Sequence, residues 1–313
     1  MNRTAFFAGC LAVASTVPAY AQSPAPVTLR LTGTGADDVV SVLYAEKNGQ
    51  FRAVGLDTVY ERANSGAAGV AAVMSGSFDI GKSSMGSLIA ARARNIDLKI
   101  VAGGAIYRAT DQQGQVLLVV AADSLLRTAK DFNGKTLSVP ALGDQNVLIA
   151  RAWIDAHGGD SRTVQFVEVP SSAAAAAVTQ GRVAGSVLVP PFAARAIADG
   201  KVRSVAAIFG AIAPRFLETA WFATADYVVK NRDAVLLFGK VVAQASAYVN
   251  AHQADVVDLI ASFTGQAAAA VAQNGVSTLA TSLEAREMQP LIDAMAKYAM
   301  IDRRFDAAAF IVK

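Results

Sequence analysis

Two successive runs of alternating strand and helix patterns limit, more than any other feature, what this chain can fold into. The first run starts with the apolar strand Val27–Leu31 and a helix from about Asp37, and it ends with the strand Leu98–Ala102. The same alternation restarts at Val116–Ala121 and continues to Val202–Phe209. Strands that alternate with helices of this length predict a parallel sheet with helices on both faces. We therefore expect an α/β fold with two such units.

The order of the patterns predicts that one unit is inserted into the other. Strand-like crossings stand at Gly114–Val120 and Leu217–Thr224, and the sequence after them is nearly all helical. Two crossings assign both chain ends to a first lobe, residues 22–116 with 219–313, and the middle to a second lobe, residues 117–218. Each lobe is expected to hold a mostly parallel sheet, and the first also a helical C-terminal tail. Two lobes joined by two hinge strands enclose a cleft that can close around a ligand.

The N-terminus has the pattern of a cleavable secretory signal peptide. Arg3 is followed by an apolar run over residues 5–14 and by the small-residue triplet Ala19-Tyr20-Ala21. The alternative is a membrane anchor, but a span needs about 20 mostly apolar residues, and this run is short and interrupted. We predict a signal peptide over residues 1–21, cut after Ala21, and therefore a periplasmic protein.

The sequence carries few residues suited to catalysis or metal binding. Cys10, within the predicted signal peptide, is the only cysteine, so disulfides, thiolate metal sites and a cysteine nucleophile are excluded from the processed chain. His157 and His252 lack the spacing of a metal site, and no nucleophile elbow or phosphate-binding motif is present. The net charge of +3 is small and evenly spread, which argues against nucleic acid. We expect no enzyme, no cofactor and no metal.

Three turns at strand ends are the candidate ligand contacts, because ligands of open α/β sheets bind beyond the carboxyl ends of the strands, near helix N-termini. The first turn contains Asp37 and the second follows the predicted strand Phe78–Gly81. The third, after Thr136–Val139, contains Asp144. In each turn the alternative is simple helix capping. The predicted ligand-binding residues, with three outside the turns, are Thr34, Gly35, Ala36, Asp37, Ser83, Ser84, Met85, Gly143, Asp144, Gln145, Asn146, Pro191, Phe192 and Trp221.

Core packing is the alternative for the aromatic candidates Phe192 and Trp221. Pro191 fits the first position of a helix, which would place Phe192 at a turn facing the cleft. Asp37 and Asp144 stand on opposite lobes, and two carboxylates facing one cleft favour a neutral or amine-bearing solute over a strongly anionic one.

Four segments, in order along the chain, carry a resemblance to a known family. They are residues 44–57, with Gly55-Leu56-Asp57; residues 71–81; residues 131–140; and residues 172–192, ending in Pro190-Pro191-Phe192. The sequence resembles the periplasmic substrate-binding proteins of ABC importers for nitrate, sulfonates, taurine and thiamine-precursor pyrimidines. The resemblance implies a type II periplasmic binding protein fold, a membrane permease as partner and a monomer. The sequence departs from the family at Val183-Ala184-Gly185, where an acid is usual, and at Val189-Pro190-Pro191, which replaces Trp-Glu-Pro.

The sequence therefore predicts a solute-binding protein that delivers a small polar molecule to an ABC importer by cleft closure. A sulfonate, a carboxylate and a nitrogen heterocycle stay open as the solute. The alternative is a periplasmic module that senses a ligand or binds a partner without a role in transport.

Overall fold

The computed structural model describes residue 1 and residues 26–111, 116–189 and 192–312. The predicted signal peptide beyond residue 1, and Pro191, lie outside the described residues. The strands are β1 Val27–Gly33, β2 Leu56–Arg62, β3 Ile80–Ser84, β4 Leu98–Gly103, β5 Ile106–Arg108, β6 Leu117–Ala121, β7 Thr136–Val139, β8 Gln165–Glu168, β9 Gly185–Leu188, β10 Val202–Ala207, β11 Arg215–Leu217 and β12 Thr219–Thr224. The α-helices are α1 Val40–Lys47, α2 Gly66–Met74, α3 Met85–Ala93, α4 Gln145–Ala156, α5 Ser171–Thr179, α6 Phe192–Ala198, α7 Ala225–Lys230, α8 Arg232–Ala251, α9 Val257–Thr264, α10 Ala268–Asn274 and α11 Ala285–Lys297.

Local sequence signals account for several helix boundaries. The Ser65 side chain accepts a hydrogen bond from the backbone of Ala68 at the start of α2, and Thr224 caps α7 in the same way. Helix α9 ends where Gly265 adopts a left-handed conformation with φ of 74°, which glycine reaches without a side-chain clash.

Two five-stranded sheets organise the fold, and both have the same internal order. The first sheet has the order β2-β1-β3-β12-β4 and the second β8-β7-β9-β6-β10. In each sheet four strands run in one direction and one runs against them, β12 in the first and β6 in the second. Each reversed strand is the one with which the chain enters that sheet from the other. The sheets are therefore mostly parallel, as predicted.

A two-stranded antiparallel ribbon of β5 and β11 lies where the chain passes between the sheets. Within β11, Phe216 is buried in a hydrophobic cluster of the second sheet, whereas Leu217 is buried in one of the first. The ribbon thus lies at the transition between the two cores. The predicted domain boundaries fall close to it and stay a prediction.

Apolar clusters cover both faces of both sheets, and their burial is the main stabilising term of the fold. Helices α3 and α11 pack on one face of the first sheet, and α1 and α8 on the other. Helix α4 covers one face of the second sheet, and α5 and α6 the other. Among the described residues, α8 alone has the length and hydropathy of a membrane span. One side of α8, with Val235, Phe238 and Val242, is buried against the first sheet, as expected of a core helix.

Two details differ from the sequence prediction. The predicted strand Phe78–Gly81 is observed at Ile80–Ser84, so Ser83 and Ser84 belong to the strand and not to a following turn. The shift arises because Lys82 and Ser83 are almost fully buried, whereas polar residues after an apolar strand predict an exposed turn. The short strands β5 and β11 were not predicted.

Candidate ligand-binding site

A buried polar cluster occupies the edge of the first sheet where β1 and β3 end and β12 begins. The ammonium group of Lys82, on β3, forms an ion pair with Asp38, and both side chains are almost fully buried. The hydroxyl of Thr219, the first residue of β12, donates to the other carboxylate oxygen of Asp38 at 2.5 Å. Asp38 is thereby satisfied within the protein, and the single lysine of the cluster is committed to it.

The first and second units touch directly above this cluster. The hydroxyl of Ser84, at the end of β3, donates to Oδ1 of Asp144 at 2.7 Å. Ser84 also caps α3, accepting from the Ser87 backbone at 3.2 Å, and Asp144 caps α4, accepting from the Gln145 backbone at 2.7 Å. Two helix N-termini, one from each unit, therefore face each other across a shared hydrogen bond.

The contact between α3 and α4 depends on a glycine. The backbone N–H of Gly86, in the first turn of α3, donates to Oε1 of Gln145 at 3.4 Å. A Cβ atom on Gly86 would lie 2.8 Å from the Gln145 nitrogen and 3.0 Å from Asp144 Oδ1. Only glycine permits this approach of the two units.

Glu218 is the carboxyl group of the cluster that lacks a hydrogen-bond partner among the described residues. It lies between β11 and β12 and is partly buried. Burial raises its pKa to about 8, with further raising by the negative charges of Asp38 and Asp37, whereas Lys82 acts in the opposite direction. Burial likewise raises the pKa of Asp144, against the hydrogen bonds from Ser84 and Gln145, which lower it. The site is therefore rich in carboxyl groups that resist ionisation.

Helix capping, the alternative to ligand binding for Asp37, is not observed. The carboxylate of Asp37 accepts from the backbone N–H of Ser277 at 2.8 Å and from its hydroxyl at 3.1 Å. Ala36 takes the N-cap position of the short 3-10 turn without a side-chain bond. Asp37 thus ties the turn after β1 to the C-terminal segment, and burial followed by the charge of Asp38 raises its pKa.

The structure brings some of the predicted residues together and separates others from them. Ser84, Asp144, Gln145 and Asn146 meet at the junction of the units. The turn of Thr34, Gly35 and Ala36 lies by the same strand edge, where the Thr34 carbonyl accepts from the Tyr60 hydroxyl at 3.1 Å. Gly143 is exposed beside the junction, with open space around its Cα.

Two predicted residues are buried in the core, a third lies against the start of α2, and a fourth is the first residue of α6. Met85 is fully buried in the core of the first unit. Trp221 is fully buried as well and meets Tyr60 edge-on with ring centroids 6.2 Å apart, so its core alternative describes its position. Ser83 projects to the opposite face of β3 from Lys82, against Gly66 of α2. Phe192 is 37% exposed at the start of α6.

Sequence reasoning missed Asp38, Lys82, Glu218 and Thr219. The available signal was charge in a strand context, because Lys82 interrupts the buried segment that ends β3 and Glu218 interrupts the predicted return crossing. Within the described parts of the chain, no group of three or more His, Cys, Asp or Glu side chains is placed to hold a metal ion.

Comparison with known proteins places the chain in a family. Residues 37–256 match the family model described as NMT1/THI5 like, which spans well over half of the chain. The chain belongs to the NMT1/THI5-like family. No protein of curated function is significantly similar in sequence.

Solved structures share the fold of this NMT1/THI5-like chain. The periplasmic aliphatic sulphonate binding protein SsuA from Escherichia coli is 19% identical with a TM-score of 0.74, over 92% of this chain and 98% of that one. The alkanesulfonate-binding protein SsuA from Xanthomonas axonopodis pv. citri, bound to MOPS, is also 19% identical with a TM-score of 0.74, over 93% and 99%. A mutant of DszB in complex with biphenyl-2-sulfinic acid is 15% identical with a TM-score of 0.67, over 91% and 96%.

These likenesses confirm the predicted α/β class and the periplasmic-binding-protein fold, and the family match confirms the predicted family resemblance. At these identities they show the fold alone.

Proposed function

We propose that this NMT1/THI5-like protein is exported to the periplasm and captures a small polar molecule between its two units for an ABC importer. The observation that carries the proposal is the hydrogen bond from Ser84 to Asp144, which joins the units above a buried polar cluster. That position, beyond the carboxyl ends of β1 and β3, is where open α/β sheets bind ligands.

The fold supports solute binding, and the family resemblance supports a role in transport. The two SsuA proteins are sulfonate-binding proteins. The solute of this chain is a small polar molecule from the same broad range: a sulfonate, a carboxylate or a nitrogen heterocycle. Closure of the units around it is part of the proposal, because each unit contributes polar groups at the junction.

Binding without turnover is the second part of the proposal. Neither histidine lies among the junction residues, since His157 and His252 each contact a backbone carbonyl of their own helix, of Trp153 and Tyr248 respectively. The cluster also lacks a cysteine, because the only cysteine of the sequence is at position 10.

Binding without turnover is tested by incubating the protein with any ligand found and analysing the small molecule by chromatography. Recovery of the unchanged ligand supports binding alone, and conversion of the ligand to a product contradicts the proposal.

A thermal-shift screen tests solute binding. The purified protein is heated with taurine, alkanesulfonates, aromatic carboxylates, pyrimidines and amines in separate wells. A ligand at a hundred times its dissociation constant stabilises the folded state by about 2.7 kcal/mol, which is readily detected. We also expect the ligand to reduce the radius of gyration in small-angle X-ray scattering. Folded protein that responds to no compound in the library contradicts the proposal and favours a partner-binding module.

A further inference from the structure

We infer that the junction site binds a ligand carrying a protonated nitrogen group, held between Glu218 of the first unit and Asp144 of the second. The inference rests on the proposed function and narrows it, because it assigns the solute to organic cations and excludes simple sulfonates. The chemistry that fits is a primary amine, an amidine or a guanidine, each of which offers at least two N–H donors around a positive charge.

Charge at the junction is the first argument. Four carboxyl groups interact there, those of Asp37, Asp38, Asp144 and Glu218, against the single ammonium group of Lys82. Lys82 is fully buried in its ion pair with Asp38, so it is not available to an incoming anion. The raised pKa values of Glu218, Asp144 and Asp37 show that the site disfavours further negative charge. An anionic ligand would add to that charge, whereas a cation would favour the ionised forms of these carboxyl groups.

The arginines near the strand edge are engaged elsewhere. Arg62 passes Gly35 and lies over the ring of Phe263, with 4.2 Å from its guanidinium carbon to the ring centroid. Arg108 donates to Asp111 and to the hydroxyl of Thr278. Neither bonds to Glu218 or Asp144 among the described residues. Arg108 therefore does not offer the bidentate contact that is usual for a sulfonate or carboxylate, and the guanidinium of Arg62 is positioned over Phe263.

An unpartnered buried acceptor is the second and independent argument. Asn146 is only 5% exposed, and its Oδ1 has no hydrogen-bond partner within the described part of the chain. Its Nδ2 donates to Oδ2 of Asp144 at 3.4 Å, which orients the amide and leaves Oδ1 as its unpartnered atom among the described residues. A buried acceptor left unsatisfied costs stability, and an N–H group of a bound ligand would satisfy it.

The carboxyl group of Glu218 is the third argument, because the residue is partly buried and this group has no hydrogen-bond partner among the described residues. Its pKa of about 8 means that it is largely protonated at neutral pH. A bound cation favours the ionised form, so binding at pH 7 releases a proton from Glu218. The affinity for a cation is therefore expected to increase as the pH rises towards 9.

Matched probes of opposite charge test the inference. Benzamidine is compared with benzenesulfonate and propylamine with propanesulfonate, at millimolar concentrations, by thermal shift and by calorimetry at pH 6, 7 and 9. We expect benzamidine or propylamine to stabilise the protein, the sulfonates to have no effect, and calorimetry in two buffers to show proton release at pH 7.

The variant Glu218→Gln separates the charge from the shape of the site. It should weaken binding of the cationic probe about ten- to a hundredfold at pH 9, as expected for loss of a charged hydrogen-bond partner. The loss should be much smaller at pH 6, where Glu218 is already protonated. Glu61→Gln, the same change on an exposed residue of β2, should leave affinity unchanged. Asp144→Asn provides a second variant on the opposite unit.

The possible outcomes distinguish the inference from the proposed function. Stabilisation by a sulfonate and not by its cationic counterpart overturns the inference and leaves solute binding intact. An equal effect of Glu218→Gln at pH 6 and pH 9 overturns the role of Glu218. If the folded protein responds to neither set of probes nor to the broad library, both the inference and the proposed function are wrong.

Discussion

At the scale of single residues, the most consequential feature is a buried charge pair in an otherwise apolar sheet. Lys82 and Asp38 are respectively 1% and 3% exposed, and Thr219 completes the hydrogen bonding of Asp38. Such a pair contributes little net stability compared with apolar residues, but removing one partner strands the other as an unpaired buried charge. Mutation of either residue should therefore lower the stability of the protein, even if neither residue contacts the ligand.

Lys82→Met should be strongly destabilising for this reason. We expect a decrease of about 3–5 kcal/mol in the free energy of unfolding, measured by urea denaturation followed by circular dichroism. The matched control is Lys201→Met, because Lys201 is exposed and its partner Asp199 lies 3.4 Å away at the surface. The control should change stability by less than about 1 kcal/mol, and equal effects of the two variants would contradict the structure.

Glu218 should make stability depend on pH. Its pKa is about 8 when folded against 4.5 as the ordinary value, so between these two values the folded protein holds a proton that the unfolded chain has lost. Raising the pH through this window therefore lowers the free energy of unfolding, by up to about 1.4 kcal/mol per pH unit, and the decline ends above pH 8. Urea titrations of the wild type and Glu218→Gln from about pH 5 to pH 9 measure the difference. If the free energies of unfolding of the two proteins differ by the same amount at every pH, the raised pKa of Glu218 is contradicted.

Capping shows how far sequence reasoning reaches at this scale. Asp144 caps α4 as local sequence rules predict, because cap donor and acceptor are neighbours in the chain. Asp37 fits the same rules and does not cap, because Ser277, 240 positions away, offers two donors to its carboxylate. The interaction of Glu218 with Asp37, Asp38 and Asp144 could not be predicted from local sequence either, because these acids lie far from Glu218 in the chain.

At the scale of elements, two helices from different units meet end to end. The N-termini of α3 and α4 approach closely because Gly86 has no side chain, and the Ser84 hydroxyl bridges to the cap of α4. Helix N-termini carry partial positive charge, so the carboxylate of Asp144 between them is well placed. The distance between the N-termini of α3 and α4 therefore determines how closely the two units approach each other.

Gly86→Ala should therefore weaken the contact between the units. The added methyl group would clash with the backbone of Gln145 and cost the closed arrangement about 1–3 kcal/mol, as overpacking does. We expect a larger radius of gyration by small-angle X-ray scattering. Gly143→Ala is the control in the neighbouring turn, since a Cβ there has no atom within 4 Å. An equal radius of gyration in both variants would show that the contact between α3 and α4 does not control the separation of the two units.

The elements themselves were mostly predictable from periodicity, and the exceptions have physical reasons. Strand Thr136–Val139 and helix Gln145–Ala156 follow their apolar patterns closely. The ribbon strands β5 and β11 have only three residues each, too few for a period to appear. Strand β3 was placed too early because its polar end is stabilised by the distant Asp38.

At the scale of the whole molecule, the two sheets differ in how the chain builds them. The second sheet uses strands from one continuous stretch, β6 to β10, whereas the first needs β12 inserted between β3 and β4. The predicted crossings anticipated this asymmetry, because they assigned both chain ends to one lobe. The first unit thus depends on residues far apart in the sequence, and the second does not.

Isolated segments should consequently behave differently. We expect residues 116–217 to fold alone, with cooperative urea unfolding and dispersed amide resonances, because they contain the second sheet and the clusters on both of its faces. Residues 26–111 should stay unfolded, since β3 and β4 lack the strand that pairs with both. A folded N-terminal segment, or an unfolded middle one, would contradict the proposed boundaries.

The position of the two aromatic indoles makes the molecule its own fluorescent reporter. Trp221 lies in the core of the first sheet, remote from solvent, and Trp153 lies on α4 against the second, stacked on the imidazole of His157 at 4.8 Å. They are the only tryptophans in the sequence, so each of the two units contains one tryptophan fluorophore. Replacing either tryptophan by phenylalanine would therefore assign each change in emission to one half of the protein without any label.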